Sequence, residues 1–370
     1  MTELDETTQA ILQRFRFDSS VLEKMRTALT SASARVGDGR LSGQVSAPSA
    51  ADVVDLPARD SADGKALAEI GRAALLRGEV GVIVLAGGMA TRFGGVVKAV
   101  VEVLPGASFL RLKLADFQAV AERNACTIPL FLMTSFSTSD VIQAAVRDMS
   151  HARTPIRILE QSVAMRLTAS GEIFRDATGK PSLCATGHGD LLPTLRASGA
   201  LATFQQAGGR LLMISNVDNL AASLDPRVIG AHCRGGKSVT VEVVRKEGSD
   251  RGGIPARVDG HLQIVEEFRL PETFDGSRVP FFNTNTFVFD AAVLDRDFDL
   301  EWFHVRRKVD GQETIQAERL LGQVTAFLPT QFLAVERHGT DGRFLPVKDR
   351  EELRARLPEI QALLACLGIG

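Results

Sequence analysis

The segment of this chain richest in chemical possibility is Leu85-Ala86-Gly87-Gly88-Met89-Ala90-Thr91-Arg92-Phe93-Gly94-Gly95-Val96-Val97-Lys98. It follows Val80 to Leu85, a short continuous apolar run that suits a buried parallel strand. Open α/β sheets bind their ligands at the carboxyl ends of such strands. Glycines at that place let backbone N–H groups approach phosphate oxygens, and Arg92 and Lys98 add fixed positive charge. The pattern is neither GxGxxG nor GxxxxGK(S/T), so neither the usual dinucleotide fold nor a P-loop is indicated. It suits instead a triphosphate-bearing nucleotide lying across the loop. A glycine turn after a strand also serves purely structural ends.

A second candidate is Asp218, which closes the apolar run Leu211 to Val217. A carboxylate in that place is costly to bury unless paired or metal-bound. Mg²⁺ takes one or two carboxylates with phosphate oxygens and water, so a single Asp is sufficient. Capping of the following helix is the other reading of Asp218. His188 lies in the turn Gly187-His188-Gly189-Asp190, where an imidazole could serve structure or a ligand. No Ser/His/Asp arrangement for nucleophilic catalysis stands out.

These residues need a scaffold, and the hydrophobic pattern supplies one. Residues 3–34 carry apolar positions at helical spacing, and 37–63 shift to Ser, Ala, Pro, Gly and Asp, which reads as a long surface loop. Ala66 to Leu76 reads as a helix. Strands are expected at Val80–Leu85, Leu130–Met133 and Leu211–Ser215, with helices at Ser139–Met149 and Leu191–Gln206 between them. That alternation predicts parallel βαβ units with helices on both faces of a sheet. Ser238–Val244 and Leu262–Val265 alternate more like exposed strands, and Glu351–Leu367 reads as an amphipathic helix.

Composition bounds the rest. At 370 residues the chain is long enough for two or three domains of roughly 150 residues. A hydrophobic share of 45% and a charged share of 24% match ordinary globular usage and exclude a disordered or fibrous chain. The net charge of −2 argues against a dedicated nucleic-acid binder. The amino terminus is acidic where a secretion signal is basic, and no uncharged apolar run approaches a membrane span. Cys126, Cys184, Cys233 and Cys366 show no CxxC spacing and read as reduced, buried thiols, so a cytoplasmic protein is expected.

The glycine-rich segment resembles the signature of nucleotide-sugar pyrophosphorylases. Further strings follow in order: Gly187-His188-Gly189-Asp190, Ser215-Asn216-Val217-Asp218-Asn219-Leu220, Asn283-Thr284-Asn285, Ile315-Gln316-Ala317-Glu318 and Arg343-Phe344-Leu345-Pro346-Val347-Lys348. Together they resemble the family of UTP–glucose-1-phosphate uridylyltransferases and UDP-sugar pyrophosphorylases, and GHGD and RFLPVK favour its glucose-1-phosphate branch. The resemblance implies a Rossmann-like α/β fold of the nucleotide-diphospho-sugar transferase (GT-A) type, a mixed sheet flanked by helices. It implies a helical segment over 1–78, a catalytic domain over 79–348 and a helix over 349–370, where relatives continue into a β-helix.

The implied reaction is UTP plus a sugar 1-phosphate giving a UDP-sugar and pyrophosphate, with Mg²⁺ as cofactor. The sugar phosphate oxygen attacks the α-phosphorus in line, and catalysis comes from positioning and positive charge. Carried over by resemblance, Lys98, Lys308 and Arg92 hold the phosphates at the reacting centre. Leu85, Ala86, Gly87, Gly88, Met133, Gln161, Gly189 and Asp218 surround the nucleotide, with Gln161 reading the base and Asp218 holding the metal. His188, Asn219, Gly253, Glu266, Asn283 and Asn285 meet the sugar phosphate. Thr286 and Arg269 depart from the family pattern, so other sugars stay open. A glycosyltransferase and a non-catalytic nucleotide-sugar sensor on the same fold are the rival readings. No nucleic-acid or membrane partner is implied, and the oligomeric state is left at monomer or dimer.

Overall fold

The structure, a computed structural model, describes residues 4–30, 39–90, 93–149, 151–248 and 250–369. Its centre is an eight-stranded sheet, labelled here in chain order: β1 (Val53–Asp55), β2 (Val80–Leu85), β3 (Leu130–Thr134), β4 (Ile156–Glu160), β5 (Leu211–Asn216), β6 (Val239–Arg245), β7 (Phe281–Asp290) and β8 (Thr330–Ala334). Their spatial order is β1-β8-β6-β7-β5-β2-β3-β4. All neighbours run parallel except β7, which lies antiparallel to both β5 and β6. The sheet is therefore mixed, as expected.

The chain leaves β2 toward β3 and β4, then returns to place β5 on the other side of β2. Two loops thus diverge from the carboxyl ends of β2 and β5, and such a reversal point opens a crevice. Parallel pairing puts Asn216 of β5 directly beside Leu85 of β2, so the residues after each strand are neighbours.

Alternation along β2 sends its side chains to two cores. Val80, Val82 and Val84 pack with Leu67, Phe109 and Phe117 beneath helices α3 (Ala62–Leu76) and α4 (Phe109–Arg123). Ile83 packs on the other face with Leu192, Leu195 and Phe204. The helical stretch expected at Leu191–Gln206 is two short helices, because Gly199 adopts a left-handed φ of 69° between them. The C-terminal helix, Arg350–Leu367, begins at the Asp349 cap and lays Ile360 and Leu364 on the first core.

The amino-terminal helices α1 (Glu6–Arg14) and α2 (Ser19–Thr30) form a third cluster. Val21, Leu22 and Met25 pack on Met165 and Leu167, and on Ile315 and Ala317 of a hairpin built from Phe303–Val309 and Gln312–Glu318. That hairpin stands outside the central sheet and forms one wall of the crevice.

Several expectations are corrected. The stretch read as a long loop contains β1, which pairs with β8 and forms an edge of the sheet. The strand read as exposed, β6, is buried at every position but its last. Its polar residues are inside because distant partners reach them: His232 hydrogen-bonds Thr240, and Arg343 pairs with Glu242. Cys126 and Cys184 are buried as read, but Cys233 and Cys366 sit on the solvent faces of their helices and are exposed. Among the described residues no helix is long and apolar enough to cross a membrane.

Candidate active site

The glycine-rich segment folds back on itself. Ala86 continues the β2 line by donating its N–H to the Met133 carbonyl. Met89–Ala90 then pairs with Val96–Val97 through a turn at Gly94 and Gly95, both at positive φ. This brings Lys98 back beside the strand end, where its N–H donates to the Gly88 carbonyl at 3.2 Å. The Lys98 ammonium forms an ion pair with Asp218 at the carboxyl end of β5, both side chains being largely buried. Asp218 is therefore an ion-pair partner at the crevice rather than a helix cap.

A cleft of about 710 Å³ opens here. Its floor includes Leu85, Gly87, Gly88 and Met133; Lys98, Asn216 and Asp218 line one end. Gln161, Phe136 and Ser137 line another part, with Gly187, His188 and the hairpin residues Arg307, Gln316 and Glu318 facing them.

Gln161 follows β4 and is anchored by its own N–H, which donates to the Thr134 carbonyl at 2.9 Å. Its side chain is 5% exposed and its Oε1 accepts no hydrogen bond. A buried amide oxygen without a donor costs about 1–3 kcal/mol, so a donor on a ligand has something to gain there. The amide lies against Gly87: a Cβ on that glycine would stand 2.2 Å from Gln161 Nε2. Only glycine admits this amide.

The His188 ring is oriented by the backbone. Its Nδ1 accepts the Leu321 N–H at 2.9 Å, which assigns the ring proton to Nε2. Burial pushes its pKa down to about 4, so the imidazole is neutral at pH 7 and acts as an N–H donor. Asp190 in the same turn pairs with Arg319 and accepts the Ser162 N–H at 2.6 Å.

Opposite stands a chain of polar side chains. Arg166 Nε donates to Gln316 Oε1 at 3.0 Å, Gln316 donates to Glu318, and Arg307 reaches Glu318 at 3.4 Å. Cleft-facing Arg307 was not singled out from sequence, nor were Arg166, Asn216, Phe136, Ser137, Gln316 and Glu318 given roles.

The structure thus brings Leu85, Gly87, Gly88, Lys98, Met133, Gln161, His188 and Asp218 to one cleft. Others it places elsewhere. Lys308 is exposed, paired across the hairpin with Glu313, on the face away from Arg307, because adjacent strand residues point oppositely. Ala86 is buried at 1% exposure behind the floor. Gly189 donates its N–H to the Arg319 carbonyl, and a Cβ there would lie 2.7 Å from the Arg319 carbonyl carbon. That contact, not a base edge, accounts for the glycine.

Asn219 is fully buried and holds the segment at 343–345: its amide donates to the Arg343 carbonyl at 3.2 Å and accepts from the Leu345 N–H at 2.9 Å. Lys113 ties the same loop from below, through the carbonyls of Asn219 and Ala222. Gly253 and Glu266 face each other across a separate hairpin, and Asn283 caps the Asn285 N–H. None of these lines the cleft. Asn285, at φ 58°, reaches it indirectly by donating to Asn216 Oδ1 at 2.9 Å. Burial pushes the Glu266 carboxyl up to about 7, opposed by nearby Arg269. Arg92 lies outside the described residues.

A mixed sheet with a phosphate-suited glycine turn and a buried amide at its switch point defines a nucleotide-binding α/β protein. The chain belongs to the UTP–glucose-1-phosphate uridylyltransferase family, which it matches over residues 44–360. It is 29% identical to the UTP–glucose-1-phosphate uridylyltransferase of Hordeum vulgare, over 74% of this chain and 60% of the relative. The enzyme of the same name from Solanum tuberosum is 28% identical over 74% of this chain and 60% of its own length. The chain therefore spans about 60% of the length of these curated relatives.

Solved structures share the fold. The UDP-glucose pyrophosphorylase V402W mutant from Leishmania major superposes with a TM-score of 0.71 at 22% identity, covering 95% of this chain and 79% of that one. The uridine diphosphate N-acetylglucosamine pyrophosphorylase from Trypanosoma brucei gives 0.73 at 19% identity, covering 99% of this chain and 86% of that one.

Proposed function

We propose that this chain is a UTP–glucose-1-phosphate uridylyltransferase, which joins UTP and glucose 1-phosphate into UDP-glucose and releases pyrophosphate. The observation that carries this reading is one cleft with a donor-seeking amide, Gln161, toward one part and the Lys98–Asp218 pair at another. A uracil imide N–H satisfies the first, and a triphosphate suits the second.

In the reaction a sugar phosphate oxygen forms a bond to the α-phosphorus while the bond from that phosphorus to the bridging β-oxygen breaks. No protein nucleophile is needed, so the residues act by position and charge. Lys98 and Arg307 place cations on the polyanion from opposite walls, and neutral His188 offers its Nε2–H to a phosphate oxygen. Gly87 and Gly88 keep the floor free of side chains.

Mg²⁺ belongs to the same proposal. Among the described residues no cluster of three metal-ligating side chains exists. Asp218 engages Lys98 through Oδ2 alone, which leaves Oδ1 as a hard oxygen donor. A single carboxylate fits a Mg²⁺ otherwise held by phosphates and water. The ion when bound neutralises phosphate charge. Four cysteines without a disulfide support a reducing, cytoplasmic setting.

Incubation with UDP-glucose and pyrophosphate tests the reading directly. Release of UTP and glucose 1-phosphate is expected. Sugar transfer to an acceptor without pyrophosphate consumption would replace the reading with a glycosyltransferase, and binding without turnover would replace it with a sensor.

A further inference from the structure

The residues on either side of Gln161 are held by the amino-terminal segment, from outside the stretch matched to the family. Arg14 Nη2 pairs with the Glu160 carboxylate at 2.5 Å and with Asp140 at 2.8 Å. Arg16 donates to the Glu160 carbonyl and, at 2.9 Å, to Thr194 Oγ1. The carbonyl of Phe15 accepts the Val163 N–H at 2.9 Å. Three consecutive residues thus hold both flanks of a single glutamine.

The same tripeptide reaches the cleft by a second route. Phe15 is 2% exposed and meets Phe136 edge to face, with ring centroids 6.5 Å apart. Phe136 lines the cleft beside Ser137 and Gln161. Arg14 also lies over the Phe15 ring at 4.8 Å.

The backbone is adapted to this use. Arg16 follows the carboxyl end of α1 and takes a left-handed φ of 47°, unusual for a residue other than glycine. The turn lets Arg14 and Arg16 both reach Glu160 while Phe15 points into the interior. Strain of this kind persists where surrounding contacts over-determine it.

We infer that Arg14-Phe15-Arg16 is a positioning element for nucleobase recognition, which fixes the Gln161 amide and the Phe136 ring and so sets the preference for a uracil base. This deepens the uridylyltransferase reading and rests on it. None of the three residues lines the cleft. They act through Glu160, Val163 and Phe136, so the effect falls on the base end and spares the sugar phosphate.

The test is steady-state kinetics of an Arg14→Ala/Arg16→Ala double variant with UTP, CTP and glucose 1-phosphate, alongside wild type. The expected result is a rise of about tenfold in the KM for UTP and a narrowed preference for UTP over CTP, while the KM for glucose 1-phosphate stays within about twofold. Arg14→Lys in an otherwise native chain keeps a cation for Glu160 and holds the UTP constant near wild type. Arg26→Ala removes an ion pair to Glu23 elsewhere on the amino-terminal segment and leaves both constants unchanged.

An unchanged KM for UTP in the double variant overturns the inference. A parallel rise in both KM values does so too, because it marks general loosening. If the double variant does not fold, as judged by thermal unfolding, Arg14→Ala alone decides between the same outcomes. Wild type that turns over no UTP overturns the uridylyltransferase reading itself, a failure visible before any variant is compared.

Discussion

Lys98 and Asp218, 120 residues apart in the chain, form an ion pair across the carboxyl ends of two adjacent parallel strands. The pair is formed before a nucleotide arrives, so a bound triphosphate must exchange with a carboxylate for the lysine. Lys98→Met removes the cation and leaves the cleft walls otherwise intact. A fall in kcat of about 10²-fold is expected, with a circular-dichroism spectrum like that of wild type. Turnover within threefold of wild type would remove Lys98 from the reaction.

Arg307 and its neighbour Lys308 make a discriminating pair of variants. Arg307 faces the cleft and Lys308 faces solvent. Arg307→Ala is expected to lower kcat/KM for pyrophosphorolysis by about 10²-fold, whereas Lys308→Ala changes it by less than about threefold. The opposite ranking, in parallel assays, would show that the hairpin rotates before the reaction.

How much of this was legible in the sequence depends on whether a residue's surroundings are local. The strand ending at Leu85, the glycines after it and Lys98 lie within one contiguous segment, so their relation could be read directly. Asp218 was legible for a similar reason, at the end of an apolar run. In Arg306-Arg307-Lys308 three cations in succession carry no phase, and a one-residue slip turns every side chain to the other face. Asn219 looked like a continuation of the Asp218 motif, but its partners at Arg343 and Leu345 lie far along the chain. The burial of β6 was hidden likewise, since Thr240 and Glu242 read as polar until His232 and Arg343 are placed against them.

Gly87→Ala tests the seat of the Gln161 amide. The added methyl would stand 2.2 Å from Nε2, so the amide must swing away. Binding of UTP, measured by titration calorimetry, is expected to weaken by about tenfold or more. Ala at this position with unweakened binding would mean that Gln161 does not read the base.

Glu266 should leave a signature in the pH dependence of stability. Its carboxyl is raised from 4.5 to about 7 by burial, so the folded state binds its proton more tightly than the unfolded chain. Its contribution to stability is therefore lost as pH rises between about 4.5 and 7. Glu266→Gln removes that loss. The variant is expected to be more stable than wild type at pH 8 by about 2 kcal/mol and to differ little at pH 4.5. Urea unfolding at the two pH values measures this, and a gap that does not change with pH would contradict it.

His188 should behave in the opposite sense. Its pKa is lowered to about 4, so the folded state resists protonation and loses stability as pH falls from 6.5 toward 4. Its imidazole signals in a proton–nitrogen NMR spectrum are expected to stay constant between pH 5.5 and 8, with Nε2 protonated. Titration near 6.5 would contradict the neutral donor.

One edge of the central sheet ends, among the described residues, in the three-residue strand Val53–Asp55. So brief a rim offers few open amides and carbonyls to a foreign strand. The opposite rim, Ile156–Glu160, has its exit occupied by the Phe15 carbonyl at Val163. Losing the amino-terminal turn would therefore uncover a template for intermolecular β-pairing, so the segment that orients a glutamine also guards the protein against aggregation.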